Sequence, residues 1–229
     1  MSLYVLSDIH LSLGCEKPMD IFSGWEDYVD RLKKNWLKKI TAEDVVVLPG
    51  DISWGTTMDE AFEDFNFLHC LPGKKVILKG NHDYWWNTMS KMRAWLSEKG
   101  LDTIVILNNN CYIYDKTAIC GTRGWIQPGT KDDVKVYNRE LQRLRLSLED
   151  GKKNGASELC AFIHYPPVYS NYKHLEVIEI LSEYGVKRCF YGHVHGESVR
   201  YAVNGVVDGI EFKLVSADYL RFCPLHIDD

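Results

Sequence analysis

No apolar run in this chain approaches the ~20 residues that a membrane-spanning helix needs. No basic segment precedes the short apolar start Met1-Ser2-Leu3-Tyr4-Val5-Leu6, which Ser7-Asp8 cuts off. The sequence therefore predicts neither a membrane anchor nor a secretory signal. Paired cysteines are missing too. Cys15, Cys70, Cys111, Cys120, Cys160, Cys189 and Cys223 are odd in number, scattered and never in a Cys-x-x-Cys pair; they read as reduced, mostly buried small hydrophobes of a cytoplasmic protein. Positive charge is also short. A formal net charge of -5 argues against a long nucleic acid gripped through its phosphates. Lys33, Lys34, Lys38 and Lys39 interleave with Val29, Leu32, Trp36 and Ile40 at helical spacing, which makes them the solvated face of an amphipathic helix and not a basic patch. Repeats, low-complexity tracts and linker-like stretches are absent, so residues 1–229 are read as a single domain.

What the chain does have is a series of short apolar runs that end in polar residues. Leu3 to Leu6 leads into Ser7-Asp8-Ile9-His10, and in extended backbone Asp8 and His10 point to the same side. Val45 to Leu48 ends in Pro49-Gly50-Asp51, and Val76 to Leu78 ends in Lys79-Gly80-Asn81-His82-Asp83. Helical periodicity over Trp25 to Lys39, Thr57 to Leu68 and Thr88 to Lys99 separates these strands, which predicts an α/β architecture. In the second of these helices Asp59, Glu60, Glu63 and Asp64 are expected to face water. From Leu101 the pattern changes to short strands, Thr103 to Leu107, Cys111 to Tyr114 and Thr117 to Cys120. A long loop from Gly121 to Gly129, with Arg123 and Trp125, reads equally well as a plain connection and as a substrate-facing segment. A helix from Val134 to Lys153 follows, then Leu159 to Ile163 ending in His164, a helix from Leu175 to Tyr184, and Val186 to Tyr191 ending in Gly192-His193-Val194-His195-Gly196. Ser198 to Val203, Gly205 to Asp208 and Ile210 to Val215 read as strands, with Asn204-Gly205 and Asp208-Gly209 as hairpin turns.

The polar residues at strand ends form one set: Asp8, His10, Asp51, Asn81, His82, Asp83, His164, His193 and His195. Carboxylates, imidazoles and one amide, with no thiolate, are a ligand set for Mn, Fe, Zn, Co or Ni, and there are enough donors for two ions. Asp-x-His, Gly-Asp, Gly-Asn-His-Asp, a lone His and Gly-His-x-His in this order resemble the calcineurin-like metallophosphoesterases, from Asp8 to His195. The resemblance implies a four-layer α/β/β/α sandwich of two mixed sheets flanked by helices. It implies that Asp8, His10 and His195 hold one metal, that Asn81, His164 and His193 hold the other, and that Asp51 bridges them. Two divalent transition-metal ions per chain, with Mn, Fe or Zn foremost, would then carry a bridging hydroxide that attacks a phosphoester. His82 resembles the family's catalytic histidine, protonating the leaving oxygen, with Asp83 orienting its ring.

Other residues carry less. His69, His174 and His226 lie outside the motifs and read as surface or packing residues. Tyr84, Trp85, Trp86 and Trp54 are expected to pack beside the motifs and not to stack on substrate. Arg123 is the candidate extra substrate contact. Within the resembled family, protein phosphatases carry an Arg after Gly-Asp that Gly50-Asp51-Ile52-Ser53-Trp54-Gly55 lacks, and purple acid enzymes need a ligating Tyr that Ile9-His10-Leu11 lacks. The expected substrate is a small phosphodiester, then a phosphomonoester, then a nucleic acid for a nuclease. A non-catalytic scaffold comes last. No extended nucleic acid and no membrane is expected as a partner; the oligomeric state is left open.

Overall fold

β-Branched residues suit a strand buried on both faces, and the runs rich in them become parallel strands. The structure is a computed structural model describing residues 1–126 and 129–227, and its chain divides into two units, Met1–Ile106 with Val215–Asp229, and Leu107–Leu214. In the first unit β1 (Leu3–Val5), β2 (Val45–Leu48), β3 (Lys74–Ile77) and β4 (Ile104–Ile106) lie side by side in parallel. The C-terminal strand Leu225–His226 adds antiparallel to β1. In register, Val5 lies opposite Val47, Val47 opposite Val76 and Val76 opposite Val105. The crossovers are α1 (Tyr28–Lys39), α2 (Phe62–Cys70) and α3 (Met89–Glu98). α1 buries Tyr28, Leu32 and Trp36 at successive turns and leaves Lys33, Lys34, Lys38 and Lys39 exposed. Together with Leu6, Phe65, Trp85 and Trp95 these form the core of this unit.

Two helices begin later than their periodicity suggests. α1 starts at Tyr28 because Asp27 sits in left-handed backbone at φ 51°, while Trp25 packs edge-on to Phe222 at 5.0 Å. α2 starts at Phe62 and turns Asp64 inward, where it is fully buried, contrary to the expectation that it faces water. Its carboxylate accepts hydrogen bonds from Leu13 N at 2.7 Å and Ser53 Oγ at 2.5 Å, and burial pushes its pKa up to about 6.

In the second unit β5 (Tyr112–Tyr114), β6 (Thr117–Thr122), β7 (Glu158–Ile163), β10 (Arg188–Tyr191), β11 (Gly205–Val207) and β12 (Ile210–Leu214) form a sheet of order β11-β12-β10-β7-β6-β5. Its central strands β12, β10, β7 and β6 are parallel and its edges antiparallel. A small hairpin, β8 (Val168–Tyr169) with β9 (Tyr172–Lys173), lies between β7 and α5 (Leu175–Glu183) in sequence. α4 (Lys131–Lys153) opens on a Thr130–Asp133 capping box. It lies close against β6 and β7, since a Cβ at Gly151 would come within 2.8 Å of Leu159 and 2.9 Å of Ala118.

Each unit therefore holds one mixed sheet with helices against it, in the α/β class that the sequence predicts. The strand expected over Ser198 to Val203 is instead a 3-10 helix, Gly196–Tyr201, with no buried residue. Asn204 does not start a hairpin; its side chain accepts from Leu214 N at 2.9 Å. β4 joins the first sheet and not the strands that follow it. All seven cysteines are free, but only Cys120, Cys160 and Cys189 are buried and Cys70 is exposed, so the expectation of mostly buried cysteines fails. Among the described residues no helix is long and apolar enough to cross a membrane. Gln127 and Pro128 of the Gly121 to Gly129 loop lie outside the described residues.

Candidate metal centre

Parallel strands carry their loops at their C-terminal ends, the usual place for ligands in α/β sheets. In the first unit β1, β2 and β3 deliver Asp8, Asp51 and Asn81 there. Asp8 and His10 do not reach their positions in extended backbone as expected. Both are left-handed, at φ 59° and 44°, and Asp51 is too, at φ 52°. Such conformations cost about 1–2 kcal/mol each for a residue with a Cβ, and their concentration at one point is typical of functional sites. Neighbouring backbone holds them: Asp8 N donates to Gly50 O and His10 N to Asp51 O, each at 3.0 Å. Asp8 offers a ligand atom within 4.8 Å of one from His10 and of one from Asp51, and His10 Nε2 lies 3.6 Å from Asp51 Oδ2. All three are buried. Ser216 Oγ donates to Asp8 Oδ2 at 3.0 Å.

The loop after β3 is locked to the loop after β2 by Asp83. Its Oδ2 accepts from Asp51 N at 2.9 Å and Gly80 N at 2.6 Å. Its Oδ1 accepts from Ile52 N at 2.8 Å, Ser53 N at 3.4 Å and the Trp85 indole at 3.0 Å. Only glycine fits at position 80, because a Cβ would sit 2.1 Å from Asp51 Oδ1 and 2.2 Å from Asp51 N. His82 N donates to Asp51 Oδ1 at 2.8 Å. Asn81 and His82 are half-buried, and the His82 Nδ1 lies 3.4 Å from the hydroxyl of Tyr84. Tyr84 is exposed, whereas Trp85 is buried in the core. Trp54 stacks on His10 at 4.9 Å and tilts against His82 at 4.5 Å. Trp54 thus packs beside the motifs as the sequence predicts, with its indole against both imidazoles.

In the second unit β7 ends in buried His164, and β10 runs through Gly192 to His193, which is left-handed at φ 71°. Gly192 N donates to His164 O at 3.1 Å, and the rings of His164 and His193 lie 5.3 Å apart. His195 follows at the start of the 3-10 helix. Arg123, after β6, is turned toward Glu140: its guanidinium lies 3.7 Å from this buried carboxylate, which Arg143 also meets at 2.8 Å and Thr122 Oγ1 at 2.5 Å. Burial pushes the Arg123 pKa down against the pull of Glu140. Of the outlying histidines, His69 lies 3.1 Å from Thr103 Oγ1 and His226 packs on Tyr4. His174 is buried beside Tyr172 and Tyr137.

Two buried carboxylates close enough to share a ligand repel one another, and a cation offsets that repulsion. Carboxylate and imidazole donors with no thiolate suit a divalent transition metal. The residues present thus fit a metal ion. A family model described as calcineurin-like phosphoesterase matches residues 1–197. No curated protein matches the chain significantly. Among solved structures, a protein of unknown function from Aquifex aeolicus superposes with a TM-score of 0.52 at 17% identity, over 98% of this chain and 94% of that one. A phosphopantetheinyl hydrolase from Mycobacterium tuberculosis gives 0.56 at 12% identity, over 96% and 92%. A purple acid phosphatase from yellow lupin seeds gives 0.53 at 13% identity, over 94% of this chain and 43% of that one. At these identities the likeness establishes the fold alone.

Proposed function

Because the chain belongs to the calcineurin-like phosphoesterase family, we propose that it is a metal-dependent phosphohydrolase acting on a small phosphodiester. The observation that carries this reading is the buried cluster of Asp8, His10 and Asp51 at the ends of β1 and β2. Following the family pattern, the proposal assigns Asp8, His10 and His195 to one ion, Asn81, His164 and His193 to another, and Asp51 to both, with Mn, Fe or Zn as the ions. Metal ions held there would supply Lewis-acid chemistry, polarising a phosphoryl group and lowering the pKa of a nucleophilic water.

The remaining work falls to the chain itself. Asp83 fixes the backbone on both sides of Asp51, so that the carboxylate stays aimed without reorganising during the reaction. His82, tied to Asp51 through its N–H and half open to solvent, holds the proton for the leaving oxygen. With the Tyr84 hydroxyl beside Nδ1, that proton is assigned to Nε2. Arg123 is proposed as a further phosphate contact, because its Nε is buried without a hydrogen-bond partner and a phosphate oxygen would satisfy it. The seven free cysteines support a reducing compartment, the cytoplasm. An acidic chain supports a small substrate over a nucleic acid.

The test is turnover of bis-p-nitrophenyl phosphate against p-nitrophenyl phosphate by protein stripped of metal and reloaded with Mn, Fe or Zn. Faster, metal-dependent cleavage of the diester is expected. A preference for the monoester would replace the diesterase reading with a phosphatase, and no turnover of either ester with metals bound would leave only a scaffold.

A further inference from the structure

The unit Leu107–Leu214 contains a pocket of about 440 Å³ walled by Trp125, Tyr165, Tyr169, Tyr172 and His174. That volume lies within the ~300–1,000 Å³ of small-molecule sites. His193 and His195 form part of the same lining, so the pocket adjoins two of the proposed metal ligands. Among the described residues no Asp, Glu, Lys or Arg lines it. His174, buried in its wall, has its pKa lowered by burial, which favours the neutral imidazole. Away from His193 and His195, a charged group entering here would lose its hydration with no Asp, Glu, Lys or Arg of the lining to pair with.

The aromatic walls are fixed in place by bonds to the protein. Trp125 Nε1 donates to Asp133 at 3.3 Å, Tyr169 OH donates to Ser198 O at 3.2 Å, and Tyr172 OH lies 3.1 Å from His174 Nδ1. Trp125 and Tyr165 meet edge to face at 5.6 Å, and Tyr165 lies 4.3 Å from the His193 ring. The polar ends of Trp125, Tyr169 and Tyr172 are thus occupied within the fold, while the rings supply uncharged surface suited to a flat guest. Pre-set walls of this kind lose little entropy on binding.

We infer that this pocket receives a flat, uncharged aromatic group, an aryl ring or a nucleobase, carried by the phosphoester. The inference rests on the phosphohydrolase reading, which seats the phosphoryl group beside His193 and His195. Stacking on such walls is worth about tenfold or more in affinity per ring.

The test measures dissociation constants by calorimetry on manganese-reloaded protein, with probes that require no turnover. Phenylphosphonate is expected to bind at least about tenfold more tightly than methylphosphonate. That preference should shrink to near unity in Ser198→Phe, which fills the pocket, and fall in Tyr172→Leu, which removes a wall. Equal binding of the two phosphonates, or a preference that survives Ser198→Phe, would overturn the assignment. A second pair, adenosine 5′-phosphate against ribose 5-phosphate, separates the sources: tighter binding of the nucleotide identifies a nucleobase, and equal binding identifies a simple aryl ring. Failure of the hydrolase reading is distinguishable, because a ring preference in protein that cleaves neither p-nitrophenyl ester would leave the pocket standing and remove the reaction.

Discussion

Replacing Asp83 by Asn keeps its size and takes away one acceptor oxygen. Whichever way the amide is turned, its NH2 faces donors. At the Oδ2 position it meets the N–H groups of Asp51 and Gly80, and at the Oδ1 position those of Ile52, Ser53 and the Trp85 indole. The less damaging orientation still loses two hydrogen bonds to a charged acceptor, each worth about 1.5–3 kcal/mol. The cost is therefore about 3–6 kcal/mol, a large part of the ~5–15 kcal/mol that stabilises a typical domain. For a chain of this size it corresponds to a midpoint about 6–24 °C lower. Because two of the orphaned donors flank the Asp51 carboxylate, metal affinity is expected to fall along with stability. Thermal unfolding followed by circular dichroism, with metal content measured on the folded protein, reads both effects. An Asn variant that melts within 2 °C of the parent and keeps its metal would refute the role given to Asp83.

Three further outcomes follow from the same contacts. Gly80→Ala drives a Cβ into the Asp51 backbone and carboxylate, so the variant is expected to lose metal and melt earlier; parental metal content and melting would contradict this. His82→Ala is expected to retain metal but lose about 10²- to 10⁴-fold of its turnover on esters with poor leaving groups; steady-state kinetics on alkyl esters decide it, and unchanged rates would remove His82 from proton delivery. Asp64 has a folded-state pKa of about 6, raised by burial, so its stabilising contribution is full below pH ~4 and is lost as pH rises toward 6. Asp64→Asn can keep the acceptor for Leu13 N and place its amide on Ser53 Oγ without a charge. It should therefore gain up to about 3 kcal/mol over the parent at pH 8, and that gain should vanish near pH 4. Urea unfolding at the two pH values measures the difference, and a gain independent of pH would contradict the buried charge.

The sequence made the strand-end donors visible because each follows an apolar run and a punctuating glycine or short turn, signals carried by neighbours in the chain. The same local signals placed β1, β2, β3 and α3 to within a few residues. What they could not show depends on groups brought together from afar. Asp64 sits in an acidic helical stretch, and only Leu13 and Ser53, 51 and 11 residues away, turn it inward. Asp83 reads as a partner for the adjacent His82, and its bonds to Asp51 N, Ile52 N and Ser53 N of the loop after β2 lie beyond what neighbours in the chain can show. Ser198 to Val203 alternates like a strand, yet its ladder is limited to one antiparallel bridge between Ala202 and Tyr169, and residues up to Tyr201 close into a 3-10 helix. The aromatic pocket draws on residues from Trp125 to Ser198, and no spacing links them.

The most direct test of the account is the metal stoichiometry of the purified protein after reloading, measured by elemental analysis beside Asp51→Asn. The account predicts two ions per chain in the parent, fewer in Asp51→Asn, and hydrolysis of bis-p-nitrophenyl phosphate that falls with the lost metal. Parental stoichiometry of one or none, or an Asp51→Asn variant that keeps both its ions and its turnover, would contradict it.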